Sequence, residues 1–227
     1  MRVRRAFAFL DLSGFTALTA TEGDERSVAV LEQFRGALRR TCSRRGVRIA
    51  KWLGDGAMLV GVEPTPVVSA ALEIMWVAKL DTDEVAVKCG MTEGSVILLE
   101  GDDYIGHAVN LAARLCDLAV GGQVLAEPGV GAHLPPWAVA GERRQVAVRG
   151  VTAPLDVVEP SLNCTAEDAS ADPVCGIPLV ESTSVAWRSA GGIGRWLFCS
   201  DSCLDTWESR PVGDDGADEA FVRDGIA

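Results

Sequence analysis

No stretch of this sequence comes near the roughly 18 consecutive apolar residues that a membrane-spanning helix requires. Glu73 and Lys79 interrupt the best window. A signal peptide is also lacking, because Arg2, Arg4 and Arg5 are followed only by the short run Ala6 to Leu10, which Asp11 ends. The chain is therefore expected to be cytoplasmic, with no membrane partner. Positive charge is short as well: 21 Lys and Arg against 32 Asp and Glu leave a formal charge of −11. That balance argues against nucleic acid, since phosphate binding wants a basic surface. Lysine is scarce, three residues in all, so a lysine inside an apolar strand stands out. Only two histidines occur, His107 and His133, and neither lies in the C-terminal segment that holds most of the grouped cysteines. In a reducing compartment the seven cysteines imply core thiols, metal ligands or redox sensors rather than a disulfide framework. No internal repeat is visible.

What is there reads as one medium domain and one small one in 227 residues. Val3 to Leu10 predicts a buried strand, and after a Gly-containing turn Asp24 to Arg45 predicts a helix stopped by Gly46. Val28, Leu31, Leu38 and Cys42 are its expected inward face. Val47 to Leu53 and Ala57 to Val62 flank Gly54-Asp55-Gly56, a hairpin signal. Pro66 to Leu80 reads as a second helix, with Val68, Leu72 and Met75 inward, and Val85 to Met91 as a fourth strand. The order β-α-β-β-α-β is that of a ferredoxin-like sheet with helices on one face, an α+β fold. A third helix, Gly106 to Ala119, and short strands at Gln123 to Ala126, Gln145 to Arg149 and Leu155 to Val158 complete a domain of residues 1–160. A polar linker (161–171), a cysteine-bearing module (172–211) and an acidic tail (212–227) follow.

Asp11 ends the first strand and Asp55 sits at the hairpin tip. The first and third strands of such a sheet usually lie side by side, so the two carboxylates can meet. Paired carboxylates with few other ligands suit Mg²⁺, which takes its remaining oxygens from water and phosphates. Gly14, before Phe15 and Thr16, lets backbone N–H groups approach a triphosphate. Asn110 and Arg114 are four apart and share a helix face; an arginine there can stabilise charge at a phosphoryl centre. Lys51, inside an apolar strand, and Asp103 complement the ring nitrogen and N6 amino group of adenine. Each group also has a plainer reading: turn residues for Asp11 and Asp55, a solvated helix face for Asn110 and Arg114, a snorkelling lysine and a loop aspartate for the last pair.

Together these residues carry a resemblance. Phe9-Leu10-Asp11-Leu12-Ser13-Gly14-Phe15-Thr16, Lys51-Trp52-Leu53-Gly54-Asp55 and Asp103-Tyr104-Ile105-Gly106-His107-Ala108-Val109-Asn110-Leu111-Ala112-Ala113-Arg114 resemble, in order and spacing, the three linked motifs of class III nucleotidyl cyclases. The resemblance spans roughly residues 5–160. It implies an adenylate cyclase making cyclic AMP and pyrophosphate from ATP by a two-metal mechanism in a head-to-tail homodimer. Asp11 and Asp55 of one subunit would hold two Mg²⁺ or Mn²⁺, and Lys51, Asp103, Asn110 and Arg114 of the other would bind base, ribose and transition state. Arg149 is the nearest candidate for the basic residue that relatives use to hold phosphates. The stretch between Gly94 and Asp103 is shorter than in many relatives, which bears on dimer geometry. With the first motif at the N-terminus, no upstream regulatory domain is expected. The alternative is a nucleotide-binding or metal-sensing signalling protein on a cyclase scaffold.

Further along, Asp172-Pro173-Val174-Cys175-Gly176 and Phe198-Cys199-Ser200-Asp201-Ser202-Cys203 resemble a YHS or TRASH-type module. That resemblance implies Zn²⁺ or Cu⁺ on Cys175, Cys199 and Cys203 and a regulatory role, with no fourth protein ligand evident from the sequence. The plainer reading is a small fold with buried cysteines. Cys42, Cys89 and Cys116 fall on apolar faces and are expected in the core.

Overall fold

The computed structural model describes residues 1–78, 85–99, 103–163, 169–190 and 194–210. Lys79 and Leu80, Cys164 and the acidic tail lie outside the described residues. The chain divides into two units, Met1–Ser161 and Leu162–Ala227.

In the first unit, strand β1 (Arg2–Ser13) is central because its run Ala6 to Leu10 is apolar on both faces, and such a strand is stable only if both are covered. Antiparallel to it run β3 (Gly56–Gly61) on one side and β4 (Ala86–Leu98) on the other. The edges are β2 (Arg48–Leu53), paired with β3, and β5 (Tyr104–Ile105), paired with the end of β4. The order is thus β2-β3-β1-β4-β5, with β6 (Val124–Ala126) parallel to the start of β4. Strand β4 runs seven residues past the expected Met91, since Val96 and Leu98 keep packing beneath Tyr104.

Helix α2 (Asp24–Arg45) has the expected bounds, and α3 (Pro64–Val77) begins at Pro64 rather than Pro66. The sequence pattern shows only a turn between Gly14 and Asp24; the structure winds it into α1 (Phe15–Glu22). Val28 is not on the inward face of α2 but 54% exposed. The buried stripe is centred on Val30, Phe34 and Leu38, and Val28 lies roughly 240° round the helix from Phe34 at about 100° per residue. Helices α2 and α3 are tied by Glu73, which is buried. It accepts from Thr41 Oγ1 at 2.7 Å and Arg45 Nε at 2.6 Å, and from Arg44. A buried carboxylate needs such partners to remain charged.

The two sheet faces can be told apart by close approaches. A Cβ on Gly61, which pairs with Ala6, would lie 2.5 Å from Val67 Cγ2 of α3. A Cβ on Gly90, which pairs with Phe9, would lie 2.1 Å from the backbone nitrogen of Cys116 in α4 (His107–Leu118). Ala6 and Phe9 have opposite parity along β1, so α3 and α4 cover opposite faces. The expectation of helices on one face therefore holds for α2 and α3, while α4 is on the other. Beneath α4 pack Phe7, Met58, Val60, Val96, Tyr104, Ala108 and Ala112. Past the single helical turn α5 (Pro128–Gly131) and β7 (Ala138–Val139), the ribbon of β8 (Arg144–Val146) and β9 (Leu155–Val157) covers the outer side of α4 through Val148 and Val157. Strand β10 (Ser161–Leu162) ends this part of the chain.

The second unit pairs β11 (Ser170–Ala171) with β12 (Pro178–Leu179), and β13 (Ala186–Ala190) with β14 (Gly194–Phe198). Helix α6 (Asp201–Glu208) follows, capped by the Ser200 hydroxyl, which accepts from Cys203 N. Ile177, Leu179, Phe198 and Cys203 are buried. Among the described residues no helix is long and apolar enough to cross a membrane.

Candidate active site and a cysteine cluster

The first constellation forms where β1 ends and β3 begins. Asp11 is one residue beyond the last β1–β3 pair, Leu10 with Ala57, and so stands across from Gly56. The position a Cβ would take on Gly56 is 3.1 Å from Asp11 Oδ1; the absent methyl leaves the carboxylate its space. Asp55 precedes Gly56 in the turn. Burial, and then the charge of Asp11, raise the Asp55 carboxyl above its ordinary pKa, against the pull of its own backbone N–H and of Lys88. Two like charges partly withdrawn from water make a place where a cation is favoured. On the other flank the β1–β4 register puts Lys88 opposite Asp11, with Nζ 3.1 Å from Oδ2. Burial draws the lysine's pKa down, but the hydrogen bond to Asp11 and the charges of Asp11, Cys116 and Asp117 together carry it above its ordinary value.

Gly14, at φ 88°, turns the chain directly from Asp11 into α1. Phe15 and Thr16 occupy the first turn of that helix, where backbone N–H groups have no earlier carbonyl to meet and favour an anion.

Lys51 stands opposite Met58, a residue packed under α4, so it shares the sheet face of Phe9 and Asp11. Its Nζ donates to Asp103 Oδ1 at 2.6 Å, and the same oxygen accepts Tyr104 N at 2.9 Å. The hydrogen bond from Lys51 is the chief cause that holds the Asp103 carboxyl below its usual pKa. Both side chains are nearly half exposed, at 43% and 45%, so the pair adds little to stability. What it offers is a donor beside an acceptor, open to a ligand.

Asn110 is exposed on α4, and Arg114 follows one turn later. Arg114 Nη1 donates to the backbone carbonyl of Arg149. The exposed Arg149 thus meets Arg114 through its main chain, and its own side chain points to solvent. Among the described residues no hydrogen bond or ion pair joins Asn110 or Arg114 to Asp11 or Asp55. The structure therefore assembles the expected residues as separate groups: the carboxylate pair, the Lys51–Asp103 pair, and the α4 residues.

The second unit holds a tighter constellation. Cys175 Sγ is 3.5 Å from Cys199 Sγ, which is 3.6 Å from Cys203 Sγ. A disulfide would need about 2.05 Å. Zn–S bonds of about 2.3 Å give a tetrahedron with edges of about 3.8 Å, close to what is seen. A fourth donor that the sequence did not reveal is Asp172, wholly buried. Its carboxylate and the three sulfurs all lie within 4.8 Å of one another. Asp172 Oδ1 accepts Val174 N at 2.8 Å and Cys175 N at 3.2 Å, and Oδ2 accepts Cys199 N at 2.7 Å. These bonds fold the loop around the cluster. Burial, and then Cys199, push Asp172 up to about 6. Hydrogen bonds from Cys175 and Cys199 bring Cys203 down to about 4, while the Cys175 thiol is pushed up. Asp172 could have been suspected from its place three residues before Cys175. Lys88 could have been suspected as one of three lysines, set like Lys51 in an apolar strand. Cys42, Cys89 and Cys116 are buried, as expected.

No protein-family model matches the chain. An uncharacterised protein of Mycobacterium tuberculosis is 35% identical over 161 residues, 71% of this chain and 42% of that protein. The pH-sensitive adenylate cyclase of M. tuberculosis is 30% identical over 151 residues, 63% of this chain and 38% of that enzyme. The chain thus spans less than half the length of these curated relatives. Among solved structures, the adenylyl cyclase CyaB of P. aeruginosa matches with a TM-score of 0.62 at 22% identity, over 73% of this chain and 97% of that one. The guanylyl cyclase Cya2 matches with a TM-score of 0.62 at 20% identity, over 74% and 96%. The α+β fold of this chain is that of the class III adenylyl and guanylyl cyclases.

Proposed function

We propose that the protein is an adenylate cyclase, converting ATP to 3′,5′-cyclic AMP and pyrophosphate at sites shared across a homodimer. The observation that carries this reading is the meeting of Asp11 and Asp55 over Gly56, on the sheet face that also bears the Lys51–Asp103 pair. Kinship with a mycobacterial adenylate cyclase supports it.

The donor set fits two Mg²⁺ or Mn²⁺: hard carboxylate oxygens, few in number, with room for phosphate and water. When bound, the ions would offset triphosphate charge and lower the pKa of the ribose 3′-hydroxyl. The chain's own residues do the rest. The first turn of α1, at Gly14, Phe15 and Thr16, receives phosphate oxygens on its N–H groups. Lys51 donates to a ring nitrogen of adenine and Asp103 accepts from the N6 amino group, once their exposed ion pair opens, which costs little. Guanine would set its O6 acceptor against the carboxylate. Asn110 orients the ribose. Arg114, released from the Arg149 carbonyl, neutralises charge on the α-phosphoryl group as the 3′-oxygen attacks in line and pyrophosphate leaves. Arg149 adds charge for the phosphates. Asp11 and Asp55 come from one subunit, and Lys51, Asp103, Asn110 and Arg114 from the other.

Base choice gives the test. Lys51→Glu combined with Asp103→Cys removes the polarity that suits adenine. The ratio of kcat/KM for ATP over GTP, with Mn²⁺, is expected to fall by at least about tenfold. An unchanged ratio would place base recognition elsewhere.

We further propose that the second unit, with its YHS/TRASH-like cysteine pattern, is a metal-binding module that regulates the first. Three sulfurs and a carboxylate near tetrahedral spacing suit Zn²⁺ better than Cu⁺, which prefers soft sulfur donors alone.

A further inference from the structure

Lys88 is a charged group at the carboxylate pair that the proposed reaction does not use. Its side chain is only 16% exposed, and Nζ is 3.1 Å from Asp11 Oδ2. The other oxygen, Oδ1, lies on the β3 side, 3.1 Å from the position a Cβ would take on Gly56, and the charge of Asp11 is felt by Asp55 next along the turn. The two oxygens of Asp11 thus serve different neighbours, the lysine on the β4 side and the open carboxylate pair on the β3 side. The placement is fixed by strand register rather than by a flexible loop, since Asp11 and Lys88 are direct partners within twelve consecutive β1–β4 pairs.

We propose that Lys88 is a resident counter-ion that holds one oxygen of Asp11 and so keeps the carboxylate pair a weak site for free divalent cations until the metal arrives with nucleotide. The inference rests on the cation reading of Asp11 and Asp55 given above. With Lys88 the three groups sum to a charge of −1; without it they sum to −2. A divalent ion entering the pair meets repulsion from an ammonium a few ångströms away, and it finds only one Asp11 oxygen uncommitted. A nucleoside triphosphate brings negative charge of its own, which offsets that repulsion and competes with Asp11 for the ammonium. The consequence is order: nucleotide and metal enter together, and free Mg²⁺ or Mn²⁺ does not fill the site beforehand. Lys88 is in this sense a positioning residue for Asp11.

The test is a Mn²⁺ titration of the nucleotide-free full chain, with unbound ion counted by its electron paramagnetic resonance signal. Lys88→Gln, which keeps polarity without charge, is expected to bind Mn²⁺ at the pair at least about tenfold more tightly than wild type. Lys88→Arg is expected to bind as wild type does, and the gap should narrow when a non-reacting ATP analogue is present. Thermal melting checks that each variant is folded, and Lys88→Met serves the same comparison if Lys88→Gln does not fold. Adding Asp55→Asn to Lys88→Gln separates the two ways of failing. If Mn²⁺ binding survives that change, the cation reading fails and this inference with it. If binding is lost there but wild type and Lys88→Gln have equal affinity, the cation reading stands and the role of Lys88 is overturned.

Discussion

Asp11→Ala or Asp55→Ala is expected to lower kcat for cyclic AMP formation by at least about a thousandfold, equivalent to roughly 4 kcal/mol of transition-state stabilisation. The size follows from what the pair would do. Removing either carboxylate takes away a ligand and a charge from ions that offset the triphosphate, and nothing else among the described residues at that corner replaces them. Folding should survive, and for Asp55 the sign can be worked out. Its folded pKa is raised, so ionised Asp55 opposes folding above the unfolded pKa, and this burden is fully present at neutral pH. The metal-free Asp55→Ala chain should therefore melt no lower than wild type at pH 7. Activity lost with melting temperature kept would mark a chemical role. Substantial turnover remaining in both variants would remove the metal assignment.

The cysteine cluster should give the second large effect. One Zn²⁺ per chain is expected to bind, to release protons as buried thiols ionise, and to raise the melting temperature of the second unit. Chelation should reverse this. Cys199→Ser, which removes the sulfur that lies between the other two, is expected to weaken Zn²⁺ binding at least about a hundredfold. Asp172→Asn keeps the acceptor for the backbone N–H groups on one atom only, and should cost about ten- to a hundredfold. If the module regulates catalysis, Zn²⁺ will change the cyclase rate of the full chain and leave that of the triple Cys→Ser variant unmoved, after inhibition at the active site is allowed for. Metal binding that never alters the rate would leave the module a structural appendage. Absence of stoichiometric binding would leave its cysteines as buried core.

Much of this was legible in the sequence because it depends on local pattern. The helix from Asp24 to Arg45 is set by its periodicity and by Gly46, and the hairpin by Gly54-Asp55-Gly56. Asp11, Asp55, Lys51, Asp103, Asn110 and Arg114 declare themselves through motif spacing. What escaped reading depends on register and tertiary packing. Lys88 meets Asp11 only because β4 pairs with β1 in one frame, and a slip of one residue would turn it to the other face. Val28 looks inward until Phe34 fixes which stripe of α2 is buried. Asp172 opens the module's first motif without declaring itself a ligand; the fold of the loop onto Cys199 N is what makes it a fourth donor. Helix α1 was hidden because Gly14 and Gly23 bracket only eight residues with little periodicity.

Mixing two inactive chains tests the central claim, a nucleotide cyclase whose sites are shared between two copies, most directly. Asp11→Ala and Asn110→Ala chains should each be nearly silent alone with Mn²⁺ and ATP. In a mixed dimer one site carries both changes and the other carries neither. Equal mixing makes half of the dimers mixed, so cyclic AMP formation should return to about a quarter of the wild-type rate. Mixed dimers that form, shown by mass, yet make no cyclic AMP would contradict the account.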